Sequence, residues 1–515
     1  MEAFEARRVG ISETALESDV NKMMSSVQLR FLKSVEDVIG SSYVLTGTET
    51  AAWACDWTGD WRGEPLLVAR PGSTEEVARI LRLASAARQP IVPASGRTGL
   101  TGGSMAEGAA VISLDRMSRI RAVKPDARVM IAEAGATIHR LQEEAALHGL
   151  HFPLSFGARE SAMIGGALST NAGGSNVLRY GSAREQCLGL EVVLADGRVL
   201  DLMSELHKDN SGYALRHLFI GAEGTLGIIT AATLKLVSKP REYATAMIAM
   251  SSIGAALKLL GILHDAMPGA VEAFEYMPRR FIKAYLQKIH GAREPFGAPF
   301  EHCVLVEVAR HSVSDADDAS DGSSSLSSRL ESVLGQGLQD GIVLDAVIAQ
   351  SEAQRRDMWA RREAAADVTL DRHPCVDTDV AVPLDCVEPF LLAARARILE
   401  LDPQSDDLAV AHLGDGNIHY TALPSRSDPA LCDAMRAAID EEAIKLGGTF
   451  SAEHGIGLLK LSSMRTHKNS VALETMRAIR LALDPFAILN PGKTIPQAEG
   501  QAATPDGVRD DGGAP

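Results

Sequence analysis

Apolar positions along this chain alternate between a helical rhythm near 3.6 and a strand rhythm of two. From Pro71 the rhythm is helical. Ser73-Thr-Glu-Glu76 reads as a capping box, and Val77, Ile80, Leu81 and Ala84 form an apolar stripe behind it. Short strand-type runs follow at Ile91-Val92, Ala109 to Leu114 and Arg128 to Ala132. Thr137 to Leu147 is helical again and stops near Gly149. Leu190 to Leu194 and Arg198 to Leu202 flank Asp196-Gly197, a two-residue hairpin signal. This stretch closes near Lys239-Pro240. A second one opens with a strand at Thr245 to Met250 and a helix capped at Ser251 or Ser252, then strands near Cys303 to Val308 and Leu408 to His412. Residues 1 to about 60 read as a helical lead-in, and His311 to Ser328 as a mobile surface loop. The Gly-, Ala-, Asp- and Pro-rich tail after Pro496 reads as disordered.

Composition narrows the classes. A chain of 515 residues suggests roughly three domains, and 46% hydrophobic content can fill their cores. A net charge of −16 repels phosphate backbones, so nucleic acid is not an expected partner. The most apolar window, Ala244 to Leu263, is interrupted by Ser251, Ser252 and Lys258, so no membrane span is expected. The N-terminus lacks a signal-peptide core and is too acidic for a transit peptide, which points to the cytoplasm. The six cysteines contain no CxxC pair and suggest no thiolate metal site.

Three glycine segments carry the first chemistry. Pro93-Ala-Ser95-Gly96-Arg97-Thr98-Gly99-Leu100-Thr101-Gly102-Gly103-Ser104 can turn backbone N–H groups inward as a pyrophosphate nest, or can be a flexible turn. It is neither a Walker A loop nor a Rossmann fingerprint. The second runs Ile164-Gly165-Gly166 through Thr170-Asn171-Ala-Gly173-Gly174 to Arg179. The third runs Phe219 to Thr230 and holds Glu223, Gly224, Gly227, Ile228 and Ile229. Three such segments in one region suggest backbone lying against one extended cofactor.

Together they resemble the FAD-linked oxidoreductases of the vanillyl-alcohol oxidase and p-cresol methylhydroxylase superfamily, in the branch of D-lactate and D-2-hydroxyglutarate dehydrogenases. The P-x-V-P-x-G-G-x-T-G-x-x-G-G motif matches Pro90 to Gly103, with Ser95 replacing one glycine. I-G-G-x-x-x-T-N-A-G-G matches from Ile164, F-I-G-x-E-G-T-L-G-I-I-T matches Phe219 to Thr230, and L-N-P-G-K matches Leu489 to Lys493. The resemblance implies an α+β fold with four parts before the tail: the lead-in, a two-part FAD domain over 61–240, an α+β cap over 241–445, and a segment over 446–496 returning to the flavin. It implies that the first loop holds the pyrophosphate. The other two segments, with Ser161 and Asn490, hold the rest of FAD. Some relatives attach FAD through a histidine in the first loop. None lies between Pro90 and Ser104, so the flavin is expected to be non-covalent.

His412-Leu-Gly-Asp-Gly-Asn-Ile-His419 sets two histidines across a turn, and Ser451-Ala-Glu453-His454-Gly-Ile-Gly457 adds a carboxylate and an imidazole. Two His and one Glu are a common divalent-metal set. His412 and His419 could equally be hydrogen-bonded strand residues. The family motifs H-x-G-D-G-N-x-H and A-E-H-G-x-G imply His412, His419 and Glu453 as ligands, with Zn²⁺ first and Mn²⁺ or Fe²⁺ open. His454 is the candidate base and substrate contact, or a residue that supports a ligand from behind. Trp359-Ala-Arg361-Arg362-Glu363 resembles W-x-x-R-E and puts Arg362 on the substrate carboxylate, with Arg361 a solvated helix residue.

The resemblance implies oxidation of a small D-2-hydroxy acid, with hydride passing to flavin N5. In hydroxyglutarate dehydrogenases a threonine four residues after that arginine, and a lysine two before an aspartate, engage a second carboxylate. Here these positions are Ala366 and Asp377. A buried second carboxylate beside Asp377 would be disfavoured, so a monocarboxylic acid is expected, lactate-like or longer. The rival readings are D-2-hydroxyglutarate itself, a catalytic or accessory subunit of a glycolate oxidase complex, and a non-redox alkyl-dihydroxyacetone-phosphate synthase. No Fe–S or haem motif is present, so electrons must leave to an external quinone, cytochrome or electron-transfer flavoprotein. A homodimer is one possible assembly.

Overall fold

The computed structural model describes residues 24–311, 325–370 and 372–497. The helix Ser26–Ile39 packs against the helix Thr74–Ala87, whose Val77, Ile80, Leu81 and Ala84 are all buried. Only half of the expected capping box forms. Ser73 Oγ accepts from the Glu76 N–H at 3.2 Å, but the Glu76 carboxylate accepts from the Gly72 N–H at 2.7 Å instead of from Ser73. A four-stranded sheet follows the order β1 (Val44–Leu45), β2 (Leu67–Ala69), β4 (Ala110–Ser113), β3 (Ile91–Ala94). β5 (Ile120–Lys124), β6 (Val129–Glu133), β8 (Cys187–Val193), β9 (Val199–Leu202) and β10 (Ile228–Lys235) form a second sheet of order β5-β6-β10-β8-β9. The β8–β9 hairpin turns at Asp196-Gly197 as its sequence requires. β7 (Leu150–His151) pairs with β11 (Val237–Ser238).

The second half is built on one seven-stranded sheet of order β15-β12-β14-β13-β17-β18-β16. Its strands are β12 (Glu242–Met250), β13 (Val271–Pro278), β14 (His302–Arg310), β15 (Val343–Ile348), β16 (Val376–Ala381), β17 (Asp406–His412) and β18 (Asn417–Leu423). Alternation gives it two different faces. Phe274, Tyr276, Val304, Val306, Ile418 and Tyr420 belong to a core under the helices Ile253–Ala266, Val387–Leu401 and Pro429–Lys445. The opposite face mixes apolar Leu305, Cys303 and Val410 with acids and histidines, and turns toward the first half.

Several expectations need adjustment. Ser252, not Ser251, caps the helix after β12, by accepting from the Ala255 N–H. Ser325 to Ser328 do not belong to a loop: Ser325 caps the helix Leu326–Gln339. The rest of that loop, residues 312–324, lies outside the described residues, as do residues 1–23 of the lead-in and the tail from 498. The C-terminal segment does return to the first glycine loop. The Ile91 N–H donates to Ile488 O and the Asn490 N–H to Ile91 O, each at 2.7 Å.

Candidate active site

Strand register brings the reacting groups to one face. His412 pairs with Asn417 and Val410 with His419 across the β17–β18 hairpin, so both imidazoles leave the same side. Glu275 of β13 sits opposite His412, and Asp379 of β16 opposite His419. After the hairpin, Thr449 bridges to Ala381 and the chain enters a loop over this face. Asp379 fixes that loop: its carboxylate accepts from the N–H groups of Ala452, Glu453 and His454 at 3.1, 3.0 and 2.8 Å. Gly455, at φ 82°, lets the chain turn so that the adjacent Glu453 and His454 face one cavity. At Gly173 a Cβ would stand 2.7 Å from Glu453 Oε2, so a side chain there would push the carboxylate out.

Glu453 Oε1 lies 3.6 Å from His412 Nε2 and 3.4 Å from His419 Nε2. Two ligand atoms each about 2.1 Å from one ion at the tetrahedral angle stand about 3.4 Å apart. Each histidine therefore stands from Glu453 at a spacing that suits a shared small divalent cation, although the group with all donor atoms mutually close holds His419 and Glu453 without His412. Asp379, His419, Glu453 and His454 form an overlapping group whose donor atoms lie within 4.8 Å of one another. Asp379 is the poorer ligand. Besides the three amides it accepts from Asn417 Nδ2 at 2.9 Å and meets the Lys460 ammonium at 3.3 Å, so its lone pairs are already taken.

Arg362 is buried on the helix Glu352–Glu363, its Nε donating to Glu275 Oε2 at 2.7 Å, with one terminal nitrogen 3.4 Å from His412 Nε2. Glu275 Oε1 lies 2.8 Å from His412 Nδ1, so one carboxylate orients both the histidine and the arginine. Arg361 is not solvated as expected: it is buried, over the Tyr285 ring, and donates to Arg293 O. The His454 ring stacks on His419 at 5.2 Å and 20°, with Nδ1 4.0 Å from Asp379 Oδ2. Burial would raise the Glu275 carboxyl, but His412 and Arg362 together hold it below its ordinary value. Burial also opposes charge on His412, yet Glu275 pushes it up to about 10. His419 is brought down to about 3, chiefly by burial.

The cavity in front of these groups measures about 1330 Å³. That exceeds the roughly 300–1,000 Å³ of ordinary small-molecule sites and suits a dinucleotide with a substrate beside it. His412, His419, Glu453, His454 and Arg362 line it, as do all the sequence-identified cofactor residues except Gly102, Asn171 and Arg179. Those three shape the walls instead. Gly102 takes φ 68° with Trp61 packed where a Cβ would be. Asn171 Oδ1 accepts from Ser182 Oγ and the Arg184 N–H. Arg179 pairs with Glu272 at 3.0 Å and donates to Ala270 O and Ala309 O. Ser95 Oγ and Asn490 Oδ1, both on lining residues, are buried without a hydrogen-bond partner among the described residues, which fits a polar cofactor in contact with them.

The family of FAD binding domains matches residues 65–203, and that of the C-terminal domain of FAD linked oxidases matches residues 239–494. A D-2-hydroxyglutarate dehydrogenase of Xanthomonas citri pv. viticola is 35% identical, across 88% of this chain and 94% of that protein. One from Stutzerimonas stutzeri is 31% identical across 90% and 98%, and the mitochondrial one of Bos taurus 33% across 90% and 83%. The chain belongs to the FAD-dependent D-2-hydroxyglutarate dehydrogenase family. It is an FAD-dependent hydroxy-acid dehydrogenase. Its fold is that of p-cresol methylhydroxylase, solved with substrate bound, at a TM-score of 0.70 and 15% identity over 92% of this chain and 98% of that one. Alkyldihydroxyacetonephosphate synthase shares the fold at 0.67 and 17% identity, over 90% and 84%.

Sequence reasoning missed several residues of this dehydrogenase's site. Glu275 sits in Val271–Pro278, a strand with no motif around it; only the register reveals it. Glu307, Arg355 and Trp359 also line the cavity. Trp359 opens the W-x-x-R-E segment, though no role was read for it, and Arg355 recurs with Trp359 and Arg362 at helical spacing.

Proposed function

We propose that this dehydrogenase oxidises a monocarboxylic D-2-hydroxy acid, lactate-like or longer, to the 2-oxo acid, with FAD held non-covalently and a divalent metal at His412, His419 and Glu453. The observation that carries this reading is the convergence of that donor set with Arg362 and His454 on one cavity wall. When bound, the flavin supplies a hydride acceptor and the metal, Zn²⁺ first, a Lewis acid for the 2-hydroxyl. The chain's own residues do the rest. Arg362 presents its planar fork to the substrate carboxylate, and Glu275 keeps the fork from rotating. Burial keeps His419 a neutral imidazole able to ligate, whereas His412, raised by Glu275, would have to give up its Nε2 proton to do so. His454 takes the hydroxyl proton. Asp379 holds the loop that carries Glu453 and His454.

Ala366 and Asp377 support the single carboxylate. Both line the cavity. Asp377 accepts from Thr421 Oγ1 at 2.9 Å, and its position offers a second carboxylate no cation to pair with. The names of the relatives support a second reading, D-2-hydroxyglutarate. Anaerobic flavin reduction across a panel of 2-hydroxy acids, with metal analysis of the same sample, separates the two. Lactate-type acids should bleach the flavin faster, and a preference of about tenfold or more for D-2-hydroxyglutarate would sink the first reading. Electrons then leave to an external quinone, cytochrome or electron-transfer flavoprotein. No helix among the described residues is long and apolar enough to cross a membrane.

A further inference from the structure

Glu223 stands where the flavin cavity meets the loop that carries Glu453 and His454. It belongs to the third glycine segment and lines the cavity. Its carboxylate is nevertheless spent on that loop. Oε1 accepts from the Ile456 N–H and Oε2 from the Gly457 N–H, each at 2.8 Å. Its backbone is tied to the other two glycine segments. The Glu223 N–H donates to Ser169 O of the second at 2.8 Å. Its carbonyl accepts from Asn490 Nδ2 at 2.7 Å, and the same nitrogen donates to Gly103 O of the first at 3.0 Å. These ties hold Glu223 at φ 50°, the left-handed region, which costs a glutamate energy. Farther along the loop, the Leu458 and Leu459 N–H groups donate to Thr101 O at 2.8 and 3.2 Å, and Gly457 passes that oxygen too closely for a Cβ.

Residues 452–459 are therefore held from both halves of the molecule. Asp379 of the large sheet takes the amides of 452–454, and Glu223 and Thr101 of the glycine segments take those of 456–459. Whatever fixes the glycine segments also fixes the far side of this loop, and with it the aim of Glu453. Asn490, whose Nδ2 holds Glu223, is the residue whose buried Oδ1 has no hydrogen-bond partner among the described residues. A cofactor meeting that oxygen bears directly on the side chain that holds Glu223.

We propose that flavin and the divalent metal bind cooperatively, and that Glu223 is the positioning residue that couples them. With the glycine segments ordered around FAD, the loop is ordered in advance, and the metal site loses less freedom as it forms. This rests on the metal reading above. Such coupling is reciprocal: the factor by which FAD tightens the metal equals the factor by which the metal tightens FAD.

The test is a pair of titrations on the full chain. Zn²⁺ is titrated into flavin-loaded and flavin-stripped protein, and FAD into protein with and without Zn²⁺, with Glu453→Ala as the blank for zinc bound elsewhere. Flavin-loaded protein should hold Zn²⁺ at least about fivefold more tightly than stripped protein, and Zn²⁺ should tighten FAD by the same factor. In Glu223→Gln one of the two loop amides loses its acceptor, and both factors should fall toward one. Asp379→Asn, on the other anchor, should weaken Zn²⁺ in loaded and stripped protein alike and leave the factor in place, so a general loosening of the loop is told apart from lost coupling. The wild-type titrations decide the matter by themselves if Glu223→Gln does not fold. A wild-type factor below about fivefold, or one that Glu223→Gln leaves unchanged, overturns the coupling and leaves the metal reading intact. If wild-type protein takes up no more Zn²⁺ than Glu453→Ala, the metal reading fails and the coupling fails with it.

Discussion

Glu275 shows how a residue outside every motif can govern a site. It is 1% exposed, and each of its oxygens takes one donor, from His412 and from Arg362. A carboxylate on Nδ1 fixes the histidine tautomer and leaves Nε2 pointing at Glu453. Glu275→Gln keeps the size but can accept on only one atom and loses the charge. Affinity for the proposed divalent metal, read by titrating stripped enzyme, should fall roughly 10–100-fold. KM for the hydroxy acid should rise separately, because Arg362 loses its anchor. Glu275→Asp, which restores the charge one methylene short, should recover part of the metal affinity. Unchanged metal content together with an unchanged KM would show that the bridge is only structural.

At the scale of elements, the helix Glu352–Glu363 is clamped to the sheet at two points one helical face apart. At one end Arg355 meets both Glu307 oxygens at 2.7 Å, with Trp359 Nε1 at 2.8 Å and Thr245 Oγ1 at 2.5 Å from the same carboxylate. At the other, Arg362 meets Glu275. Removing one partner of such a buried pair leaves the other charge in low dielectric. Arg355→Ala should cost about 3 kcal/mol in denaturant unfolding, near the low end for buried pairs because the Arg355 side chain keeps 24% exposure. A loss under about 0.5 kcal/mol would mean the clamp is a surface pair. Local rules made much of this architecture legible. The Asp196-Gly197 hairpin and the stripe from Val77 to Ala84 follow from short-range chemistry, whereas the return of Asn490 to the first loop was implied only by the family resemblance. The seven-stranded order was not legible, because β12 pairs with β15 across about 100 residues and no local signal encodes a non-local register. For the same reason His412, His419 and Glu453 were readable from motifs, whereas Glu275 and Glu307, supplied by other strands of that sheet, were not. Arg361 was misread because helical spacing does not reveal that Tyr285 and the Arg293 carbonyl cover its outer face.

Across the whole molecule, the cavity is a gap between two separately cored halves, the first built on a four-stranded and a five-stranded sheet with the small β7–β11 pair, the second on one seven-stranded sheet. Its floor is glycine backbone and its roof is the charged face of the large sheet. Buried polar atoms on it, such as Ser95 Oγ and Asn490 Oδ1, have no hydrogen-bond partner among the described residues. A dinucleotide filling it would satisfy those atoms and join the halves, so FAD should behave as a structural element as well as a reactant. Binding to the folded state alone adds about 4.1 kcal/mol at a thousandfold excess over Kd. Chain stripped of flavin should therefore melt at lower temperature, and titrated FAD should restore the transition in a concentration-dependent way. That dependence requires reversible binding, which the lack of a histidine between Pro90 and Ser104 supports. Acid precipitation should leave the yellow colour in the supernatant. Colour retained in the pellet would mean a covalent link from another nucleophile on the cavity wall, of which Cys55 and His151 are candidates. The melting temperature would then be independent of added FAD, because the cofactor could no longer leave.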